Sequence, residues 1–223
     1  MNILFYILII NITLYSALLI ILIIGNIYTV NNNYFINKFP SISVIVAIRN
    51  GSSALPNLIE DFQSQDYKGK MEFILVDDDS NDHTAKIIKD ITFKDNRFIY
   101  LSSLSGDNSL QLKKKALDIG IKNARNEWLL FTDVDCRVQS SWVSGMANYF
   151  NIDNDYVIGY SEIKTSNNWV TIFQSLDYFL LLIATRGSTN LGNPWACTGQ
   201  NQAYRKSLFS QVEGFSKIKN QTQ

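Results

Sequence analysis

The sequence predicts an α/β fold, a mostly parallel sheet with helices on both faces, preceded by one transmembrane helix. Three observations predict it. Residues 3–30 carry no charged side chain, which exceeds the roughly 20 apolar residues needed to span a bilayer. From residue 41 to residue 150, short β-branched or apolar runs alternate with segments of helical period, the pattern of βαβ units. Two of these runs, ending at Val76 and Thr132, each stop in a cluster of aspartates. A parallel sheet presents its ligand-binding groups at the carboxyl ends of its strands.

Taken in order, residues 1–32 read as a transmembrane anchor and 33–40 as a linker, with 41–223 as one domain. A cleaved signal peptide would need a basic start, a shorter apolar core and a small-residue cleavage site, and a retained anchor is favoured. The first charge is Lys38, followed by Arg49. Positive charge on the C-terminal flank places the remainder in the cytosol, so the expected location is the cytoplasmic (inner) membrane, single-pass. Ser41–Ile48 predicts a buried strand, and the polar Arg49–Ser53 a turn. A helix over 54–66 follows, with Pro56 in its first turn and Leu55, Leu58, Ile59 and Phe62 at helical spacing. Phe73–Val76 is the second strand, Ser80–Asp90 a helix and Phe98–Leu101 the third strand. Leu110–Ala124 is a basic helix, and the run from Trp128 ending at Thr132 the fourth strand. Beyond it, helix is expected at Trp142–Phe150, strand at Tyr156–Ser161 and an apolar helix at Trp169–Ala184. The uninterrupted apolar part of the last is too short to span a bilayer. It reads as a packed or membrane-surface helix, packing favoured, with Asp177 a satisfied polar group.

Composition narrows the chemistry. Lysine plus arginine and aspartate plus glutamate both number 20, so there is no electrostatic case for nucleic acid as a partner. The two cysteines, Cys136 and Cys197, form no Cys-x-x-Cys and are read as reduced thiols. The single histidine, His83, sits in a polar turn, SNDHT. Neither a Gly-x-Gly-x-x-Gly after the first strand nor a Walker-type Gly-Lys-Ser/Thr occurs, which disfavours dinucleotide redox and P-loop chemistry.

The acids remain. Asp133 and Asp135, one residue apart, repel each other unless a cation lies beside them, so they read either as a site for a hard divalent ion, Mg²⁺ or Mn²⁺, or as an acidic turn. Asp77, Asp78 and Asp79 arrive at the same sheet edge. One cluster can hold a metal bridging a diphosphate, and the other can accept hydrogen bonds from a base or ribose. Lys113, Lys114 and Lys115 either neutralise phosphate or form a solvated helix face.

SISVIVAIRN, FILVDDDSNDHT, LKKKALDIGIKNARNEWLLFTDVDC and CTGQNQAYRKSLFSQVEGF, in this order over roughly residues 41–215, resemble family 2 of the inverting glycosyltransferases, in particular bacterial membrane-bound members related to the cellulose and hyaluronan synthases. The resemblance implies a GT-A fold (Rossmann-like) acting on a nucleotide-diphosphate sugar, by default a UDP-sugar, with an unidentified acceptor. It implies that Ala47, Arg49 and Asn50 line the nucleotide pocket and that Asp77 or Asp78 meets the base. Lys113 or Lys114 would approach ribose or phosphates. Asp133 and Asp135 match the Asp-x-Asp motif, with Asp135 the more direct metal ligand and Asp133 nearer sugar or ribose. Gly199, Gln200 and Asn201 match the segment on the donor-sugar and acceptor side. Relatives differ at two places: many have an acid where this chain has Gly51, and they carry the catalytic base in an acidic cluster soon after the Gly-Phe matched by Gly214 and Phe215. No Asp or Glu follows Glu213 here. The sequence therefore predicts a C-terminally truncated or split transferase whose base is absent, with Glu162, Asp177 and Glu213 as poor substitutes. A separate chain would then supply the C-terminal half; the alternative is a non-catalytic nucleotide-sugar-binding module or a nonfunctional remnant.

Overall fold

A computed structural model of the chain describes residues 3–27, 39–150, 154–166 and 168–218. Its centre is a six-stranded sheet, ordered β3-β2-β1-β4-β6-β5. The strands are β1 (Ile42–Ile48), β2 (Met71–Asp77), β3 (Phe98–Ser102), β4 (Trp128–Phe131), β5 (Tyr156–Ile158) and β6 (Gln202–Arg205). β1 to β4 pair in parallel, whereas β6 runs antiparallel to both β4 and β5. The fold is thus the expected mostly parallel α/β sheet with an antiparallel margin. Chain order reverses between β1 and β4, so the crevice at their carboxyl ends is the topological switch point where open α/β sheets bind ligands.

Both faces of the sheet are covered, and for this reason the central strands read as continuous apolar runs rather than alternating ones. Val44, Val46, Ile48, Phe73 and Leu75 bury against Leu55, Leu58 and Phe62 of α2 (Leu55–Gln63), Ile88 and Ile91 of α3 (Thr84–Lys94), and Val143 and Met146 of α5 (Trp142–Ala147). Ile45, Ile74, Val76 and Leu129 point the other way, into α4 (Lys113–Asn123), with Phe209 of α7 (Lys206–Gln211) packed alongside. Phe62 stacks on Phe73 at 4.7 Å between centroids, and Phe73 on Phe98 at 4.9 Å. Burying each such ring stabilises the fold by roughly 1.5–3 kcal/mol. Gly120 lets α4 approach β1 closely, since a Cβ there would lie 2.7 Å from Ile45 Cγ2.

Several boundaries differ from the sequence reading. β2 begins at Met71 and includes Asp77. α3 starts at Thr84 rather than Ser80, because the Asp82 carboxylate accepts from Thr84 N at 3.0 Å and so holds 80–83 as a loop. α4 starts at Lys113 rather than Leu110: Leu112 has φ 54°, which no α-helix accommodates. α5 ends at Ala147 and β5 at Ile158, while α6 (Trp169–Asn190) runs past Ala184. β6 and α7 come from the segment that periodicity alone did not resolve. Residues 1–2 and 28–32 of the predicted anchor and 33–38 of the linker lie outside the described residues.

By contacts the chain divides into two units: Tyr34–Gly159 with Thr198–Gln223, which holds the sheet, and Met1–Asn33 with Tyr160–Cys197. In the second, α1 (Ile3–Ile27) is the one described helix long and apolar enough to cross a membrane. α6 packs on it. Gly25 and Gly187 meet where a Cβ on Gly25 would come within 2.1 Å of Gly187 O. Asn26 Nδ2 donates to Ile183 O at 2.9 Å and Asn190 Nδ2 to Gly25 O at 3.0 Å. Small residues that admit backbone contact, with amides bridging the helices, are how helices associate in lipid. Asp177 is exposed on α6.

Candidate active site

Four loops meet at the carboxyl edge of the sheet. The first two are laced together. Asn50, following β1, adopts φ 52°, and Asp79, following β2, φ 56°, left-handed conformations that Asn and Asp tolerate better than most residues. Asn50 N donates to Ser80 Oγ at 3.0 Å, Gly51 N to Thr84 Oγ1 at 2.9 Å and Ser52 N to Asp82 Oδ2 at 3.0 Å, while Asn81 N donates to Asn50 Oδ1 at 2.8 Å. Hydrogen bonds from Thr84, with a smaller share from Ser52, hold the Asp82 carboxyl well below the usual carboxylate range. Asp77 is buried and accepts from Ser80 N at 3.3 Å; the Asp78 amide donates to Ile48 O at 2.7 Å. Ala47 is half-buried opposite Val76, and Arg49 projects into solvent. His83 is exposed beside this lacing.

The third loop follows β4. Val134, between the two acids, packs into the core side, and Gly51 makes room for it: a Cβ at 51 would lie 2.7 Å from Ile48 Cγ2 and 2.9 Å from Val134 Cγ2. Gly51 therefore does more than delete a pocket contact. It permits the loops after β1 and β4 to touch, and an acidic side chain there has no space. Asp133 is ion-paired to Lys113 at the start of α4, whereas Asp135 is exposed and has no ion-pair partner among the described residues. Lys114 diverges from Lys113. It is buried, and its Nζ donates to Ile218 O at 2.8 Å. Lys115 Nζ donates to Asn108 Oδ1 at 2.9 Å.

Asn201, Gln200 and Gly199 supply the fourth loop, leading into β6. Asn201 is buried and accepts from Trp142 Nε1 at 3.0 Å; the Cys136 thiol lies 3.7 Å from Gln200 Oε1. Burial pushes that thiol up from its ordinary pKa, so it stays protonated. Both cysteines are free. Of the residues singled out from sequence, the structure gathers Ala47, Arg49, Asn50, Asp77, Asp78, Asp133, Asp135 and the 199–201 segment onto strand ends and loops of one unit, with Lys113 at the start of α4 beside them, and turns Lys114 toward residues 216–218.

Sequence reasoning missed Asp61. Inside α2 it is 7% exposed and takes Arg137 Nε and Nη2, each at 2.7 Å, and Val138 N at 3.0 Å. The Arg137 guanidinium holds its carboxyl below the usual carboxylate range, against the opposing effect of burial. An acid on the otherwise apolar edge of the 54–66 helix, immediately before Phe62, was the available signal.

These side chains can serve a hard cation only in a particular way. No group of three or more His, Cys, Asp or Glu able to hold a metal occurs among the described residues. The donor set is two carboxylates, one carrying a lysine ammonium in the position of a counter-ion. That does not fit an all-protein cage. It fits an ion of the Mg²⁺ or Mn²⁺ type, which keeps waters and takes phosphate oxygens beside one or two carboxylates.

The backbone has the GT-A fold of nucleotide-sugar transferases. The mannosyltransferase PcManGT from Pyrobaculum calidifontis, solved with GDP-Man and Mn²⁺, aligns over 92% of this chain and 56% of its own at TM-score 0.68 and 16% identity. S. aureus TarS 1–349, solved with UDP-GlcNAc, aligns over 78% of this chain and 47% of its own, at TM-score 0.50 and 21% identity. Residues 43–213 match the profile of glycosyl transferase family 2, and the chain belongs to that family. Poly-beta-1,6-N-acetyl-D-glucosamine synthase of Staphylococcus aureus (strain COL) is 26% identical over 209 residues, which cover 85% of this chain and 48% of that protein. The chain spans about half the length of the curated relatives it matches.

Proposed function

We propose that the sheet-bearing unit is the donor-binding core of a membrane-anchored glycosyltransferase that transfers a sugar from a nucleotide-diphosphate sugar to an acceptor hydroxyl, with inversion and with a divalent metal. The observation that carries this reading is the grouping of Lys113, Asp133 and Asp135 at the carboxyl edge beside β1, where the strand order reverses. Asp135, with Asp133, would hold the cation, which when bound supplies Lewis-acid neutralisation of charge on the departing diphosphate. The protein's own groups do the rest of the donor's work. Asp77 and Asp78 offer acceptors for the N–H groups of a base. Lys113 offers a second positive charge for phosphate, and the 199–201 segment offers side-chain amides to sugar hydroxyls. Held in place around a bound donor, such groups favour the charge that develops on the leaving group.

An inverting transfer also needs a carboxylate on the far side of the sugar to take the acceptor proton. None of the three candidates in the sequence suits that task. Glu213 is 3.6 Å from Lys217, in an exposed ion pair, while Glu162 and Asp177 are exposed in the other unit. We propose that a separate chain supplies the base. PcManGT and TarS were solved with guanosine and uridine diphosphate sugars respectively; a UDP-sugar is the donor proposed here. α1 is proposed as the anchor, with the transferase unit on the cytosolic side. Calorimetric titration of the purified full chain with UDP should show binding that requires Mn²⁺, and Asp135→Ala should abolish that metal-dependent binding. Unchanged binding by that variant would sink the site assignment.

A further inference from the structure

We propose that Asp61 is a positioning residue for the loop that carries Asp133 and Asp135; the inference rests on the metal-and-donor reading above. Between the end of β4 at Phe131 and the start of α5 at Trp142 the chain has neither helix nor strand, so the direction of the two acids is set by whatever holds this segment. Val134 against Gly51 holds its beginning. Its second half is held by α2 and the turn that follows it. The Asp61 carboxylate accepts from Arg137 Nε and Nη2, at 2.7 Å each, and from Val138 N at 3.0 Å. One helical turn on, Gln65 Nε2 donates to Gln139 O at 2.8 Å, and Gln65 Oε1 accepts from Val143 N at 3.0 Å. Asp66 N donates to Ser140 O at 2.9 Å.

Cohesion alone does not call for this arrangement. An apolar contact of similar volume would hold two elements together as well as an ion pair whose guanidinium is largely exposed, since such pairs contribute little by themselves. What a bidentate guanidinium–carboxylate pair adds is fixed direction. Here the carboxylate gains a third donor from the backbone next to Arg137, two residues beyond Asp135. Consecutive Cα atoms are about 3.8 Å apart, so little slack separates the clamp from the acid. The same segment continues to Trp142, whose indole stacks over Phe62 at 6.2 Å and donates to Asn201. α2 thereby holds both the acid pair and the loop before β6 in register.

The test uses the full chain in detergent with Mn²⁺ in the presence of UDP as probe, and amide hydrogen exchange over residues 132–143 without either. Asp61→Asn keeps the shape and removes the charge. It is expected to weaken Mn²⁺ association by about tenfold and to speed exchange across this loop, with exchange in β1 and β2 unchanged. Arg137→Gln, at a largely exposed side chain, should give the same result, and the double variant should be no worse than either single one, as for residues acting as a unit. Ile88→Val serves as a control that loosens the opposite end of the core without moving the loop. Mn²⁺ affinity within twofold of the unsubstituted chain in both Asp61→Asn and Arg137→Gln would overturn the proposal, as would losses equal to those of Ile88→Val. Should Asp61→Asn fail to fold, Arg137→Gln decides alone. If the unsubstituted chain shows no Mn²⁺-dependent UDP binding, the functional reading fails instead, and the exchange measurement still reports whether Asp61 fixes the loop.

Discussion

Single side chains set the shape of this site, and Gly51 shows how narrowly. Its position is determined by two β-branched neighbours that cannot rotate away cheaply, so Gly51→Ala should destabilise the fold by about 1–3 kcal/mol, the usual range for overpacking. It should also weaken donor binding by displacing Val134; chemical denaturation and UDP titration check the two parts separately. Asp61 adds a pH signature. Its folded-state pKa is depressed by Arg137, as that of Asp95 is by Arg97. Each contributes stability that is present above the unfolded carboxylate value, near 4, and is lost as pH falls through the folded value. The urea midpoint should therefore drop below about pH 4, and Asp61→Asn should flatten that slope. A midpoint equally steep in the variant would count against the pair. The acids of the site were legible because they end apolar runs. Gly51 and Asp61 were not, because their meaning lies in neighbours far along the chain: Val134 for one, Arg137 for the other.

Whole strands and helices were easiest to read where both local pattern and burial agreed. β1 and β2 are apolar on both sides because both of their faces are covered, and their expected positions lie within a few residues of those observed. The helix ends were harder. Asp82 delays α3 and Leu112 delays α4 through backbone conformations that hydrophobic period does not encode. β6 went unrecognised since its four residues, Gln202 to Arg205, are mostly polar and pair antiparallel at the margin, where only Ala203 is fully buried. α6 was read as favouring packing, and its partner is α1. Its glycine crossing with α1 yields a direct expectation. A Cβ on Gly187 would stand 2.5 Å from Leu22 O, a backbone atom with nowhere to go. Gly187→Leu should part the helices and lower the thermal midpoint in detergent micelles by several degrees, corresponding to about 1–3 kcal/mol; an unchanged midpoint would show that the crossing contributes nothing.

For the molecule as a whole, contacts group the chain into a sheet-bearing unit and an α1–α6 unit. The sequence order hides it, because residues 160–197 leave the sheet between β5 and β6 and group with a helix near residue 25. Fold class survived this, since the strands that define it lie on either side of the excursion. The pairing of Lys113 with Asp133 has one more consequence, for the thermodynamics of loading. On the reading proposed above, a cation arriving alone would compete with the ammonium beside Asp133, and a nucleotide arriving alone would bring phosphates to an edge rich in aspartate. If both bound together, Asp133 and Asp135 would hold the metal and Lys113 could turn its charge toward the diphosphate, so that each ligand would offset charge that the other leaves exposed. Mn²⁺ and UDP should consequently each raise the other's affinity by the same factor, as linkage requires. Lys113→Ala should shrink that shared factor, because the lone metal would bind more tightly while the ternary complex would lose a positive charge beside the diphosphate. Paired titrations in which each ligand is varied at fixed levels of the other would measure it directly, and independent binding would refute it.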